Sequence, residues 1–281
     1  MSENTRVTVV TGGGGGMGLA VAAELAHTGV VLLADVSEDL LEEATGSLAD
    51  TGADVRTQRC DVTDPDDVDA LARKVAELGG LGSLVHMAGI SPKMADGRRV
   101  LEVDLVGTLR VLEALLPHAS EGTAAVCIGS VAGYADLASE VDPLLDDALA
   151  PGFVAAVEAK LGEGFDAMTA YVLAKRGVMR ACERLSGPWG ARGARILSIA
   201  PGIIDTPMGR LELDGDDLVA AMIDATPVKR PGHSPFPGRP ADIAALVAFL
   251  CSDAAAFISG CDIRIDGGLV GSMARQMGIP G

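Results

Sequence analysis

Short runs of β-branched and other apolar residues alternate with stretches of helical hydrophobic spacing through most of the chain. This rhythm indicates βαβ units and predicts an α/β protein with a doubly wound parallel sheet. Right-handed crossovers place the carboxyl ends of the strands along one edge, where such sheets bind ligands. The runs that we assign to strands are Val7–Val10, Val30–Ala34, Val55–Cys60, Leu84–Met87, Ala124–Gly129, Arg195–Ile199 and Cys261–Ile265.

Two segments interrupt the rhythm. The first, residues 135–168, holds eight acidic residues against the single Lys160. Its apolar residues follow near-helical spacing, which predicts two short helices interrupted near Pro143 and Pro151. The second, residues 206–240, is rich in Pro and Gly toward its end and long for a simple connection, so we interpret it as a substrate loop or lid.

Composition fits one large α/β domain, because 48% of the 281 residues are hydrophobic and only 3% are aromatic. We therefore expect a single dinucleotide-binding and catalytic domain over 1–281, with 135–168 as an insertion. A net charge of −17 disfavours nucleic acid and anionic membranes as partners. The five cysteines form no C-x-x-C pair, so neither a disulfide framework nor a metal site is indicated. With no signal-peptide pattern and no apolar run long enough to span a bilayer, we expect a cytoplasmic protein.

A glycine-rich turn follows the first strand and leads into a predicted helix, Leu19–His27. Its glycines would let a pyrophosphate approach the amides at a helix N-terminus, as in Rossmann-type folds. A purely structural turn is the alternative, but the position between strand and helix favours binding. Leu19 follows Gly18 where a P-loop needs Lys. The candidate cofactor contacts in this turn are Gly12, Gly16, Met17 and Gly18.

Asp35 ends the second strand, seventeen residues after Gly18. A carboxylate there can accept hydrogen bonds from both ribose hydroxyls and would repel a 2′-phosphate by roughly 4 kcal/mol at about 4 Å. This position predicts NAD as cofactor, with a helix N-cap as the alternative role for Asp35. Further candidate contacts follow the next strands: Asp61 and Val62 at the adenine, and Ala88-Gly89 beside the ribose.

Ser130 follows the fifth strand, and Tyr171 and Lys175 lie four residues apart on one face of the next helix. A Y-x-x-x-K pair alone is common. Combined with the glycine turn, Asp35, and Pro201-Gly202 after the sixth strand, the set resembles the short-chain dehydrogenase/reductase family over nearly the whole chain.

The resemblance implies an oxidoreductase that moves a hydride between NAD(H) and a secondary alcohol or ketone. Tyr171 would take the hydroxyl proton as the hydride leaves, and one ammonium about 4 Å away, at an effective dielectric near 20, supplies roughly 4 kcal/mol toward lowering a phenol pKa. Lys175 would provide that charge and also hold the nicotinamide ribose. Ser130 would orient the substrate oxygen, while Thr206 and the Ile203 backbone would contact the carboxamide. A homodimer or homotetramer is also implied.

Two residues depart from the family pattern. Asp104 stands where the family usually has an Asn that supports a water relay to the lysine. Asp104 would either keep the relay through its backbone carbonyl, adding negative charge near Lys175, or weaken catalysis. Where the family usually has Asn-Asn-Ala-Gly, this chain has His86-Met87-Ala88-Gly89. We interpret His86 as a packed structural residue rather than a titrating one.

The spacing of Ser130 and Tyr171, 41 residues apart, is much wider than in most of the family. A long insertion at this point also resembles bacterial 3α-hydroxysteroid dehydrogenase/carbonyl reductase. The apolar face of residues 135–168 would line a pocket for a steroid or another bulky alicyclic alcohol, or reshape a subunit interface.

Two other functions compete with this interpretation. A serine hydrolase is disfavoured because Ser130 lacks the flanking glycines of a nucleophile elbow. A catalytically weak or inactive NAD-binding sensor or scaffold is the more serious alternative, motivated by Asp104 and His86. The presence of Ser130, Tyr171 and Lys175 together favours the enzyme.

Overall fold

The computed structural model describes residues 6–230 and 235–276. The strands of these ranges form one parallel sheet of seven strands in the order β3-β2-β1-β4-β5-β6-β7, so the predicted Rossmann-type α/β fold is confirmed. The strands are β1 Val7–Thr11, β2 Val30–Asp35, β3 Asp54–Arg59, β4 Leu81–His86, β5 Ala124–Ile128, β6 Arg195–Pro201 and β7 Asp262–Ile265.

Each predicted run overlaps one strand, and the boundaries differ for physical reasons. The fourth strand begins at Leu81 rather than Leu84, because Gly82 and Ser83 break the apolar run, while pairing with β1 continues to Leu81 across a register shift at Gly82. Cys60 lies outside the third strand, which ends at Arg59. That strand is largely exposed, so its apolar pattern is weak there.

Helices cover both faces of the sheet. They are α1 Gly16–Leu25, α2 Glu38–Leu48, α3 Pro65–Glu77, α4 Gly97–Leu101, α5 Thr108–Leu115, α6 Asp142–Leu145, α7 Phe153–Leu161, α8 Ala167–Gly190, α9 Pro207–Leu213, α10 Asp217–Ala225, α11 Pro240–Cys251 and α12 Leu269–Gln276. A π-helical turn, Glu102–Gly107, joins α4 to α5. None of the helices in the described ranges has the length and apolar character of a membrane span.

The first helix begins earlier than the sequence predicted. Leu19 donates its backbone N–H to the carbonyl of Gly15, so Gly16 already belongs to α1. The helix ends at Leu25, and Ala26–Thr28 continue as a 3₁₀ turn. Glycines have low helix propensity, which is why the pattern placed the start at Leu19.

Two hydrophobic clusters pack on the opposite faces of the sheet. One is formed with α3, α4, α5, α7 and α8, and the other with α1, α2 and α11. Val9 faces the first cluster and Val10 the second, as the period of two along a strand requires.

The insertion, residues 135–168, contains the short helices α6 and α7, which confirms a helical insertion before the helix that carries Tyr171 and Lys175. Pro143 lies in the first turn of α6 and starts that helix instead of interrupting it. The side chains of Val141, Leu145, Phe153 and Val157 are buried in the first hydrophobic cluster. The apolar face of the insertion therefore packs within the core of its own chain.

The substrate loop carries α9 and α10. Part of the predicted lid, residues 231–234, lies outside the described residues, as does 1–5 at the N-terminus.

Candidate active site

The glycine turn leaves its backbone open at the N-terminus of α1. Gly12 has φ +62°, and a Cβ on Gly18 would lie 2.1 Å from the carbonyl oxygen of Gly12. Only glycine fits such an approach at Gly18. The turn therefore offers amide donors without side-chain bulk, which fits a pyrophosphate.

Asp35 lies directly beside this turn. Its Oδ2 accepts the N–H of Gly14 at 3.1 Å, and its Oδ1 accepts the N–H of Ser37 at 3.1 Å. The N-cap of α2 is Ser37, whose side chain accepts the N–H of Leu40. The helix-cap role considered for Asp35 thus belongs to Ser37, and each oxygen of Asp35 keeps a lone pair for a ligand hydroxyl.

The residues after β3 are already engaged with protein groups. Asp61 accepts hydrogen bonds from Thr63 through Oδ1 and from Arg99 through Oδ2, the latter at 3.1 Å. Burial acts to raise the pKa of Asp61, but these hydrogen bonds and the charge of Arg99 lower it overall. Val62 is buried, and a Cβ on Gly107 would lie 2.6 Å from its Cγ2.

The loop after β4 forms the floor of the site. The Ala88 N–H points at Thr11 Oγ1 at 3.4 Å, and the Ile90 N–H donates to Asp104 Oδ1 at 2.8 Å. Between them, a Cβ on Gly89 would lie 3.2 Å from Lys175 Nζ. Glycine at this position lets the floor lie directly against the Lys175 ammonium.

Asp104 contacts Lys175 directly. The Lys175 Nζ and Asp104 Oδ2 atoms are 3.0 Å apart, with side chains 5% and 0% exposed. Burial acts to lower the pKa of Lys175, but the charges of Asp104 and Tyr171 outweigh it and raise that pKa. The backbone carbonyl of Asp104, one of the two routes considered for its effect on catalysis, accepts the Thr108 hydroxyl at 2.7 Å. The Asp104 carboxylate itself forms a buried ion pair with Lys175.

Tyr171 lies between Lys175 and Ser130. The Lys175 Nζ is 5.4 Å from the centroid of the Tyr171 ring, and the 3₁₀ turn that Ser130 caps packs against α8, where a Cβ on Gly133 would lie 3.1 Å from the backbone carbonyl carbon of Lys175. The pKa of Tyr171 is nevertheless raised. Burial is the main cause, and the negative charges of Glu212 and Asp104 add to it, while Lys175 and Ser130 act in the opposite direction. The expected net lowering of the Tyr171 pKa by Lys175 is wrong here, because burial outweighs the charge of Lys175.

Ser130 caps the 3₁₀ turn Val131–Tyr134, which follows β5. Its Oγ accepts the N–H of Ala132 at 3.1 Å. The hydroxyl is thereby held at the carboxyl edge of the sheet.

His86 is fully buried, between Thr11 and Thr108. Because Thr108 gives its proton to the Asp104 carbonyl, it accepts from His86 Nε2–H, and Nδ1 accepts from the Thr11 hydroxyl. Burial, with the nearby charge of Lys175, lowers the pKa of His86 to about 3. The packed, neutral role expected for this histidine agrees with these contacts.

The residues after β6 form the opposite wall. Pro201 ends the strand, and the Ile203 carbonyl accepts the Gly238 N–H at 3.3 Å. Thr206 caps α9 by accepting the Gly209 N–H at 2.9 Å, which leaves its own hydroxyl proton free to be donated. A Cβ on Gly16 would lie 3.2 Å from Thr206 Cβ, so this wall meets the glycine turn.

Family models match two overlapping parts of the chain. One, described as short chain dehydrogenase, matches residues 6–142, and another, described as Enoyl-(Acyl carrier protein) reductase, matches residues 132–270. The chain belongs to the short-chain dehydrogenase/reductase family. It is therefore an oxidoreductase of a family that uses nicotinamide dinucleotides.

Relatives and solved structures of short-chain dehydrogenases match almost the full chain. A cis-4-hydroxycyclohexanecarboxylate dehydrogenase of Sinomonas cyclohexanicum is 34% identical, with 94% of this chain and 96% of the relative covered. A levodione reductase of Leifsonia aquatica is 31% identical, covering 94% and 93%. A crystal structure of levodione reductase superposes with a TM-score of 0.75 at 29% identity, covering 96% and 98%.

Three residues that no sequence motif identified also border the site of this short-chain dehydrogenase. Ser91 is fully buried after β4, and burial raises the pKa of Glu212 in α9 against the opposing charges of Lys175 and Lys93. Lys93 donates from Nζ to the Glu212 carbonyl at 2.8 Å. No motif marks these residues. Only their positions, after β4 and in the substrate loop, could have indicated from the sequence that they border the site.

Proposed function

We propose that the protein is an NAD(H)-dependent dehydrogenase that interconverts secondary alcohols and ketones, including bulky alicyclic ones. The grouping of Ser130, Tyr171 and Lys175 around one reaction position carries the proposal. The names of the relatives, a cis-4-hydroxycyclohexanecarboxylate dehydrogenase and a levodione reductase, support the substrate class. We also propose a single domain over 1–281, a homodimer or homotetramer and a cytoplasmic location, which the family resemblance supports.

Tyr171 is the proton-transfer group in this mechanism. In oxidation its phenolate takes the substrate hydroxyl proton while the hydride on the same carbon leaves, and in reduction the phenol returns the proton to the carbonyl oxygen. A nicotinamide dinucleotide held by the glycine turn, Asp35 and Lys175 would accept or supply that hydride. The Ser130 hydroxyl hydrogen-bonds the substrate oxygen, and the Lys175 ammonium stabilises the phenolate and would bind the nicotinamide ribose. Asp104 keeps Lys175 charged and in position.

The preference for NAD rests on Asp35. Its carboxylate lies at the glycine turn, where it would accept from ribose hydroxyls and repel a 2′-phosphate. The neighbouring basic residue on β3 is Arg59, whose guanidinium is bound to Asp67 at 2.6 Å. That cation is therefore occupied by an acidic partner of its own.

A turnover assay tests the reaction. The protein is incubated with NAD and a panel of secondary alcohols, including cyclohexanols and hydroxysteroids, while NADH absorbance is followed. We expect turnover that Tyr171→Phe lowers at least about a hundredfold, the scale of general acid–base catalysis, with NAD affinity retained. Tyr134→Phe is the control, since that phenol bonds Asp262 instead. NAD binding without turnover of any alcohol or ketone would favour the sensor alternative.

Asp35→Ala tests the cofactor. Loss of a repulsion of roughly 4 kcal/mol would reduce an NAD-over-NADP ratio in kcat/KM by up to about a thousandfold. Asp39→Ala, an exposed acidic residue in the first turn of α2, is the control and should leave the ratio unchanged. An unaltered ratio in Asp35→Ala refutes the assignment.

A further inference from the structure

We infer that His86 and Thr108 are positioning residues for the reaction, which hold Asp104 against Lys175 through a chain of buried hydrogen bonds. The inference rests on the proposed function, because it concerns how the charge of Lys175 is placed beside Tyr171. Both residues act through Asp104 rather than on the substrate.

Asp104 is anchored at its backbone and at its side chain. Its carbonyl oxygen accepts the Thr108 hydroxyl at 2.7 Å, and its Oδ1 accepts the Ile90 N–H at 2.8 Å. With these two groups fixed, Oδ2 faces the Lys175 Nζ at 3.0 Å. The position of the carboxylate beside the ammonium therefore depends on both anchors.

His86 fixes the anchor at Thr108. The one hydroxyl proton of Thr108 goes to the Asp104 carbonyl, so its oxygen accepts the Nε2–H of His86 at 2.9 Å. The other ring nitrogen, Nδ1, accepts the Thr11 hydroxyl at 2.9 Å, which sets the orientation of the imidazole. His86, Thr11 and Thr108 are at most 1% exposed, so water does not compete for these hydrogen bonds.

The chain ties the π-helical turn to β4. His86 ends that strand, and the turn Glu102–Gly107, which carries Asp104, runs directly into α5. Asp104 is bound at its carbonyl to the end of β4, through the first residue of α5, and at Oδ1 to Ile90 in the loop after β4. One segment of the central sheet thus sets the position of the ion pair.

The chain itself is uncharged. Burial and the charge of Lys175 lower the pKa of His86 to about 3, so the imidazole is neutral at neutral pH, and the threonine hydroxyls do not titrate. The charged groups that act on the pKa of Tyr171 are Lys175, Asp104 and Glu212. Breaking the chain removes none of these charges. A shift in the pKa of Tyr171 would therefore report movement of the ion pair.

Thr108→Val tests the chain, because valine keeps the shape of threonine without its hydroxyl. We expect kcat/KM for alcohol oxidation to fall about ten- to a hundredfold, the scale of a misplacement of roughly 1 Å. The rising limb of its pH profile should move down by about half a pH unit or more, because a carboxylate that has moved from Lys175 offsets less of its charge. Thr108→Ser keeps the hydroxyl and should retain both the rate and the limb.

His86→Asn breaks the same chain from its other side, so the test does not depend on the folding of one variant. An Asn amide can reach Thr11 but not Thr108, whereas the longer amide of His86→Gln can donate to Thr108. We expect His86→Asn to move the limb as Thr108→Val does, and His86→Gln to leave it near its wild-type position.

Thr123→Val is the matched control. The buried Thr123 hydroxyl donates to the Leu81 carbonyl at 2.8 Å, at the opposite end of β4, so the variant loses the same kind of hydrogen bond away from the site. It should lower Tm and leave the limb in place. In an Asp104→Asn background, Thr108→Val should move the limb no further, because its effect passes through the carboxylate.

Two results would overturn the inference alone. One is a limb that Thr108→Val and His86→Asn leave in place while lowering Tm, as expected of Thr123→Val. The other is a shift that adds in full to that of Asp104→Asn. If the wild-type protein binds NAD but turns over no alcohol or ketone, the proposed function fails and the inference fails with it.

Discussion

At the scale of single residues, Asp104 changes the electrostatics of the site most. An Asn there would leave the full charge of Lys175 to act on Tyr171, whereas the carboxylate 3.0 Å from Nζ offsets it. Asp104 keeps the buried Lys175 ammonium charged, because it raises the pKa of Lys175. Asp104 also adds to the rise in the pKa of Tyr171, whose main cause is burial.

Asp104→Asn should shift the alcohol-oxidation profile to lower pH. Oxidation needs the Tyr171 phenolate, so its rate rises with pH through the pKa of Tyr171, and removing a negative charge that raises this pKa moves the rising limb down. The measurement is kcat/KM against pH with NAD saturating. Glu102→Gln, at a neighbouring half-buried carboxylate paired with Arg99, is the control. A limb that stays in place or moves to higher pH contradicts the proposed influence of Asp104 on Tyr171.

At the scale of elements, the insertion is held by charge as well as by apolar packing. Arg176, Arg180 and Arg184 repeat every four residues along α8, and they pair with Asp142 and Asp146 of the insertion. This spacing places all three guanidinium groups on one face of the helix. Two of the acidic residues of the insertion, Asp142 and Asp146, thus have basic partners in α8.

Leu145→Ala should destabilise the whole fold, because Leu145 of α6 is fully buried in the first hydrophobic cluster. The expected loss is about 2–5 kcal/mol in the free energy of unfolding, measured with urea. Leu149→Ala, at a side chain 40% exposed in the same insertion, should change stability by less than about 0.5 kcal/mol. Equal effects of the two substitutions would mean that the insertion folds independently of the core.

The elements also show what the sequence could predict. Short apolar runs between helical stretches predicted all seven strands, because buried parallel strands carry continuous apolar runs. The π-helical turn Glu102–Gly107 left no pattern, since its apolar spacing there matches an α-helix. The position of Ser130 followed from the end of β5, and the pairing of Tyr171 with Lys175 followed from their four-residue spacing on one helix and the family resemblance. No sequence motif marks Glu212. The sign of the Tyr171 shift was unpredictable because it depends on burial and on two distant carboxylates.

At the scale of the whole molecule, the parallel topology places all the candidate contacts on one edge of the sheet. Crossovers between β1, β2, β4, β5 and β6 bring their carboxyl ends together although they are far apart in sequence. The two hydrophobic clusters fix these strands from both faces. The precise placement of the candidate site residues thus depends on the packing of the entire domain.

The net charge of −17 is also a property of the whole molecule, and it opposes compactness through self-repulsion. The Debye length falls from about 30 Å at 0.01 M salt to about 8 Å at 0.15 M, so added salt screens this repulsion. Exposed ion pairs weaken too, but each contributes only about 0–1 kcal/mol. We therefore expect Tm to rise by a few degrees from 10 to 200 mM NaCl, as followed by calorimetry. Sucrose at matched osmolality is the control for general exclusion effects, and a fall in Tm would show that the ion pairs between α8 and the insertion outweigh the net charge.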